Sequence, residues 1–553
     1  MAVVQHRIGT IFGLFFLLLV LAAGRTLYLG TVHGATLRKA ARSQQLTDEN
    51  VPAQRGTITD RNGVDLAVSE PAQDVSADPY LIRDPLGSAQ RLAPLLGQPQ
   101  ARVLTKLSRR AGFVYLARAL PARQAQAVMA LKLPGISGVP VMRRVYPRGT
   151  LAAQVLGVVG TEGNGLAGLE YSRNALLHGH AGVRRVVSDA IGQPVSITEA
   201  HPEVAGADLS LTLDANIQQR SEDVLAAVGR FFEPKHAMAI VMDPRTGAIL
   251  AMANWPQIDA NEPQASPAGA LENRAVGFDY EPGSTFKAFT VSGALEQGLV
   301  TPNSTFNIPN QIKVADRTIH DDTEHAEESL TTAQILAQSS NVGAIEIGKL
   351  EGASNFNGWV HRFGFGARTG VDLAGEEMGQ VLPLSHYSGS SMGNLPIGQG
   401  QLVTPIQMAS AYSAIANGGI LRPPHIVGSV NGVAQGTPAG RRVISATTAA
   451  ALRQMLEGVL APGGTASEVS IPGYKLAGKT GTASKIDPLT HEYSKSAYVA
   501  SFMGFAPASN PKLLCAVVVD EPQSGSIFGG TVAAPAFGQI MSFALPYLRI
   551  PPG

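Results

Sequence analysis

The chain opens with an uncharged apolar run from Ile8 to Ala23, which resumes after Arg25 with Leu27, Tyr28 and Leu29. That length approaches what a helix needs to cross a bilayer. Arg25 can extend its charge to the interface and Tyr28 can rest there. The pattern predicts a membrane anchor over residues 1–30, with a cleaved leader as the alternative because Ala22, Ala23 and Gly24 are small. From 31 to about 205 the apolar positions come in short segments separated by turn residues. Residues 51–63 have a strand-like core closed by Asn62-Gly63. Helical spacing covers 89–96 and 122–131, and 165–171 form a glycine-permitted bend entering a helix. No nucleophile–base pair occurs in this interval, which therefore reads as scaffold.

From 206 onward the pattern changes. An alternating strand over 209–214 precedes a helix through Ile217 and Val224, and strands 237–243 and 247–252 are joined by Pro244-Arg245-Thr246-Gly247 as a hairpin. A helix ending near Gly298 follows, and then a helical zone over 330–350 interrupted at Ser339. A second strand pair, 498–505 and 513–519, and a helix over 535–545 close the folded part. Strands at both ends of a helix-rich middle predict an α+β fold, with one antiparallel sheet and helices packed on it.

Composition narrows the classes. The 553 residues are 44% hydrophobic and 15% charged, enough for two to four domains with a substantial core. With 43 basic against 42 acidic residues and no basic tract, nothing favours nucleic acid as a partner. Cys515 is the only cysteine and lies in an apolar strand, so disulfides, cysteine metal clusters and CxxC chemistry are excluded.

Three short strings carry the candidate chemistry, in this order: Ser284-Thr285-Phe286-Lys287, Ser339-Ser340-Asn341 and Lys479-Thr480-Gly481. Acyl transfer through serine needs a hydroxyl nucleophile with an amine close enough to deprotonate it. It also needs a second hydroxyl and an amide to relay and orient, and a cation for a substrate carboxylate. Ser284 falls in the first turn of its helix, after Glu281-Pro282-Gly283, and Lys287 lies beside it at i+3. A second Ser-x-x-Lys, Ser509 to Lys512, contains Pro511 and runs into a strand, so it cannot present both side chains on one helical face. Gly473 to Thr480 fits the phosphate-loop spelling, but no apolar strand precedes it and no helix follows, so nucleotide binding is rejected. His320, Asp321, Asp322 and His325 look like metal ligands yet read as a solvated loop. Glu376 and Glu377 read as structural, as do Arg55, Asp60 and Arg61, while Trp255 and Trp359 read as packing residues. No metal or other cofactor is expected.

Taken with residues 55–63, 165–170 and 281–287, the ordered strings make the chain resemble a class B penicillin-binding protein along its whole length. The resemblance implies an anchor (1–30), an elongated non-catalytic pedestal of the dimerisation type (31–205) and a penicillin-binding transpeptidase domain (206–553). Residues 399–405 and 529–537 resemble the division-type, septal enzymes; the elongation type is the alternative, and a β-lactam sensor or hydrolase a more distant one. The implied activity is D,D-transpeptidation of peptidoglycan stem peptides outside the cytoplasmic membrane, with the N-terminus inside. β-Lactams act as covalent inhibitors, and a lipid-linked glycan polymerase and other division proteins are the implied partners.

The expected roles follow residue by residue. Ser284 is the nucleophile, and Lys287 is its base provided that burial lowers its pKa. Ser339 relays the proton, and Asn341 orients Lys287 and binds the donor peptide. Lys479 supplies positive potential, Thr480 and Thr482 hold the carboxylate, and Gly481 admits the substrate backbone. By resemblance, the backbone N–H groups of Ser284 and Thr482 form the oxyanion hole.

Overall fold

The computed structural model describes residues 2–32, 34, 35, 39, 46–189, 194–487 and 489–552. Helix α1 (Ala2–Thr31) is exposed along the apolar run and extends past Arg25, whose guanidinium lies 5.9 Å from the Tyr28 ring centroid. Among the described residues it is the one helix long and apolar enough to cross a membrane. The chain divides into two compact units, one built from residues 1–54, 71–142 and 179–206, the other from 55–70, 143–178 and 207–553.

The first unit holds an antiparallel sheet of Leu46–Val51, Gly182–Ser188 and Pro194–His201, with the middle strand Gly182–Ser188. Its apolar core, including Val75, Leu92, Val103, Leu116 and Val128, gathers helices Pro85–Leu96, Gln100–Leu107 and Ala122–Ala130 against strand Val114–Pro121. The two predicted helices are present, the first beginning one turn early because Asp84 caps it and Pro85 suits its first position.

The second unit is built on a five-stranded antiparallel sheet. Its strands are β1 (His236–Met242), β2 (Ile249–Trp255), β3 (Ala477–Ile486), β4 (Tyr493–Ala506) and β5 (Leu513–Asp520), in spatial order β2-β1-β5-β4-β3. All eight residues of β5 are buried, including Cys515, whose thiol burial pushes far above its ordinary range. Such a run lacks alternation because helices cover both faces of the sheet. Helices α2 (Ala215–Phe232) and α7 (Gly529–Tyr547) pack on it, as does α6 (Pro405–Ala416), buried at every position. Between β2 and α6 lie α3 (Lys287–Glu296), α4 (Thr332–Gln338) and α5 (Asn341–Arg362). The last helix was expected from Pro535. It starts at Gly529 and carries Pro535 inside, where contacts with the sheet and α2 outweigh the lost backbone hydrogen bond.

Residues 55–70 and 143–178 are held in this unit by buried charge. Glu170, fully buried, accepts Arg55 Nε at 2.5 Å and Arg144 Nε at 2.6 Å, and Arg55 also reaches Asn174 Oδ1 at 2.8 Å. Asp60 accepts the backbone N–H of Asn62, Val64 and Ala215 at 2.7, 2.9 and 3.0 Å, tying the Asn62-Gly63 turn to the start of α2. Arg55 and Asp60 are thus structural, as their sequence context suggests, whereas the Arg61 side chain is exposed outside this network.

Candidate active site

The nucleophile string departs from the expected helical first turn. Gly283–Phe286 form a 3-10 turn and the α-helix starts only at Lys287. In a 3-10 turn i and i+3 eclipse, so Ser284 and Lys287 project from one side more closely than in an α-turn. The turn is pinned from several directions. Thr285 Oγ1 donates to the Pro282 carbonyl at 2.7 Å, and the Tyr412 hydroxyl on α6 donates to the Thr285 carbonyl at 2.6 Å. Gly283 has φ +54°, and its N–H reaches the Gly398 carbonyl at 3.1 Å. A Cβ on Gly398 would lie 2.2 Å from the Gly283 carbonyl, so that contact requires glycine. Phe286 and Phe289 anchor the turn from below, edge-to-face at 5.3 Å between centroids. Ser284 is half-buried and Lys287 is buried.

The second string forms the junction between α4 and α5. Ser339 ends α4 in the left-handed conformation (φ 66°, ψ 32°), and Ser340 caps α5 by accepting from Gly343 N–H. The left-handed residue turns the Ser339 carbonyl and hydroxyl toward α3. Lys287 Nζ donates to Ser339 O at 2.5 Å, to Ser339 Oγ at 3.3 Å and to Asn341 Oδ1 at 2.6 Å. Asn341 Nδ2 in turn donates to His320 O at 2.9 Å and to Asp322 Oδ1 at 3.1 Å, which fixes the amide with its oxygen on the lysine.

Here the reading of 320–325 as a solvated loop is corrected at Asp321, while His320 and Asp322 are exposed as expected. Asp321 accepts from Asn341 N–H, from Val342 N–H at 2.9 Å and from the Ser340 hydroxyl at 2.8 Å. A carboxylate on the first N–H groups of α5 both satisfies them and complements the helix dipole. His325 Nε2 lies 3.1 Å from the same carboxylate. Among the described residues no group of three His, Cys, Asp or Glu is arranged to hold a metal.

Lys479, Thr480, Gly481 and Thr482 all lie on β3, the edge strand of the sheet, so the Gly473–Thr480 spelling ends within a strand and not at a loop-to-helix junction. Gly481 pairs with Ser501 on β4, and a Cβ there would sit 2.5 Å from Ser501 Oγ and 2.9 Å from both the Pro282 carbonyl and Thr285 Cγ2. Glycine therefore lets the edge strand press against the turn that carries Ser284. Lys479 is fully buried, with Nζ 3.3 Å from Thr480 O and 3.4 Å from Thr480 Oγ1. Two contacts were missed from the sequence. Thr465 Oγ1 lies 2.6 Å from Thr480 Oγ1, and Gly529 N–H, at the start of α7, donates to Thr482 Oγ1 at 3.1 Å. Neither partner carries a spacing signal, since each is brought in by the packing of a distant segment.

Burial sets the electrostatics. It lowers the Lys287 pKa from 10.5 to about 8, opposed by the negative charges of Asp322 and Asp321. Lys479 is held well below its ordinary range, first by burial and then by the positive charge of Lys287, while Asp322 acts in the opposite direction. Lys287 and Asp322 both act on the amine of Lys479 across the same site. The structure thus brings together the Ser284 turn, Lys287, Ser339, Asn341 and the Lys479 strand. Glu376, by contrast, accepts from Thr369 N–H at 2.6 Å, Thr369 Oγ1 at 2.5 Å and Gly370 N–H at 3.2 Å, closing its own turn as expected.

Comparison with known proteins agrees with this arrangement. Residues 237–542 match the penicillin binding protein transpeptidase domain, and residues 50–211 match the penicillin-binding protein dimerisation domain. Penicillin-binding protein PbpB of Mycobacterium tuberculosis is 34% identical over 584 residues, covering 99% of this chain and 86% of that protein. Peptidoglycan D,D-transpeptidase FtsI of Escherichia coli K12 is 33% identical over 557 residues, covering 99% and 93%. The apo crystal structure of penicillin-binding protein 3 from M. tuberculosis superposes with a TM-score of 0.72 at 31% identity, covering 91% of this chain and 98% of that one; its aztreonam complex gives 0.71. With a dimerisation domain followed by a transpeptidase domain, and relatives matching it almost end to end, this chain belongs to the class B penicillin-binding proteins.

Proposed function

We propose that the protein is a peptidoglycan D,D-transpeptidase that works through an acyl-serine intermediate, and that β-lactams acylate the same serine. The observation that carries this reading is the buried amine of Lys287, within hydrogen-bond reach of Ser339 and Asn341, one turn after Ser284 and beside an edge strand that carries the buried Lys479. Ser284 Oγ attacks the carbonyl between the two terminal D-alanines while its proton passes to neutral Lys287. Proton transfer through Ser339 to the departing nitrogen releases D-alanine and leaves an ester on Ser284. An acceptor amine from a neighbouring strand then attacks the ester, and the proton returns to Ser284 by the same route. Base catalysis of this kind contributes about 10²–10⁴-fold.

The donor peptide lies along the open edge of β3 as an added strand. Lys479, with the hydroxyls of Thr480 and Thr482, holds its terminal carboxylate, whose arrival restores the charge on Lys479 that burial disfavours. The backbone N–H groups of Ser284 and Thr482 serve the developing oxyanion, each worth about 3–4 kcal/mol. Glu376, engaged by its own turn, offers no carboxylate base for hydrolysis of the acyl-enzyme, which favours transfer over β-lactamase chemistry. Ser284→Ala is expected to abolish fluorescent-penicillin labelling and the acyl adduct in mass spectrometry. Persistent labelling of that variant would move the nucleophile elsewhere.

Helix α1 anchors the chain as a single-pass membrane protein with its N-terminus in the cytoplasm, because the peptidoglycan substrate lies on the other side. Residues 31–205 serve as the pedestal, with 55–70 and 143–178 folded into the compact unit of the catalytic domain, 206–553. The resemblance of 399–405 and 529–537 to division-type enzymes supports a role at the septum, with a lipid-linked glycan polymerase as the partner. Depletion is expected to give filaments without septa; rounded cells would assign the enzyme to elongation instead.

A further inference from the structure

A cavity of about 740 Å³ in the second unit shares no lining residue with the catalytic strings. Strand Leu209–Leu211, the β1–β2 hairpin, the β4–β5 turn and the chain following α7 all contribute to it. Its charged lining is one-sided, with Arg61, Arg245, Lys512 and Arg549 against a single acid, Asp243. Arg245 is already neutralised, since its guanidinium grips Asp243 with Nε at 3.0 Å and Nη2 at 2.7 Å. The side chains of Arg61, Lys512 and Arg549 have no ion-pair or hydrogen-bond partner among the described residues. Three unneutralised cations from segments far apart in sequence thus border one concave space in a chain whose formal charge is only +1.

Each of the three is presented on fixed backbone. Arg61 sits within the turn organised by Asp60, its own N–H donating to Leu213 O at 2.9 Å. Lys512 N–H closes the β4–β5 turn on Ala506 O at 3.0 Å. Arg549 occupies the left-handed position after α7, with φ +53°. Its N–H donates to Pro546 O at 2.9 Å and that of Ile550 to Leu545 O at 2.9 Å, the pairing of a Schellman end. Glycine is the usual residue there, because a side chain in this conformation is strained. The following carbonyl, Ile550 O, is held by the Tyr474 hydroxyl at 2.6 Å. An arginine is therefore kept at the cavity mouth at a conformational cost.

We propose that this cavity is a second binding site, separate from the transpeptidase cleft, for a small polyanion carrying two or more phosphate or carboxylate groups. A volume of this order suits a small-molecule ligand. Unneutralised cations bordering one concave space raise its positive potential toward such a ligand, and the preset backbone limits what must be ordered on binding. Guanidinium forks at Arg61 and Arg549 match the paired oxygens of either oxyanion, and Lys512 adds a compact charge.

The test uses the full-length chain in detergent, titrated calorimetrically with inorganic pyrophosphate and separately with citrate, so that the two arms report which oxyanion is preferred. Saturable binding of at least one probe is expected, weakening as NaCl rises from about 0.05 to about 0.5 M. The Arg61→Gln/Lys512→Gln/Arg549→Gln variant is expected to lose at least about tenfold in affinity, while Arg109→Gln, outside the cavity, binds as the parent does. Penicillin labelling of the triple variant serves as the folding control. If the triple variant fails that control, Arg61→Gln and Arg549→Gln are titrated singly and each is expected to weaken binding. No saturable binding of either probe at about 10 mM, or unchanged affinity in folded charge variants, overturns the proposal.

Discussion

Lys287 combines two requirements that conflict in water: it must donate hydrogen bonds to hold its position and must lose a proton to act as a base. Burial resolves the conflict by lowering its pKa to about 8, while Ser339 and Asn341 keep oxygens within reach of the amine in either state. The sign of the pH dependence follows. Below pH 8 the protonated amine dominates, so the acylation rate should fall about tenfold for each pH unit of acidification. Above 8 the rate should level off. Stopped-flow acylation by a chromogenic cephalosporin across this range is expected to show a single rising limb centred near 8. A flat profile would mean that Lys287 is not the titrating base.

The element that makes this geometry reproducible is the α4–α5 junction, and its anchor lies outside both helices. Asp321 ties the first N–H groups of α5 to the loop that also supplies Asp322 and the His320 carbonyl to Asn341. Asp321→Ala removes a helix cap and is expected to cost about 1–2 kcal/mol of stability. Because Asn341 then shifts against Lys287, acylation should slow by about 10- to 100-fold, measured as the penicillin acylation rate of the folded fraction. This also shows what was legible in the sequence. Ser284 and Lys287 could be read because their relation is local, three residues along one turn, and Lys479-Thr480-Gly481 because a strand motif carries its own spacing. Asp321 could not, because only a reversal of the chain between 320 and 341 turns a polar loop into a helix cap. Thr465 is hidden for the same reason, and the start of α7 was masked by a proline that its packing tolerates. Four of the five sheet strands were legible as apolar runs; β3, built of small and polar residues, was not, and its place at the edge is a property of topology that no single segment records.

At the scale of the whole molecule, the catalytic unit carries a buried acid unrelated to the chemistry. Glu351 on α5 is 3% exposed and packs against Gly293 of α3, where a Cβ would come within 2.5 Å of its Oε2. Burial raises its pKa from 4.5 to about 9, so the folded state retains a proton that the unfolded chain has released. The sign is that of an acid with a raised pKa: stability falls as pH rises from about 4.5 toward about 9. Glu351→Gln, which mimics the protonated form, should therefore stabilise the protein by about 1–3 kcal/mol near pH 8 and much less near pH 5, as read from Tm at the two pH values. Equal Tm shifts at both would show that the carboxyl does not titrate on folding. The close approach at Gly481 bears on how such an enzyme can escape antibiotics. Narrowing the cleft by adding bulk at this wall would drive the new atom into Ser501 and into the turn bearing the nucleophile, disabling the enzyme before it excluded the drug. Substitution at Gly481 is accordingly closed to this protein as a route to resistance.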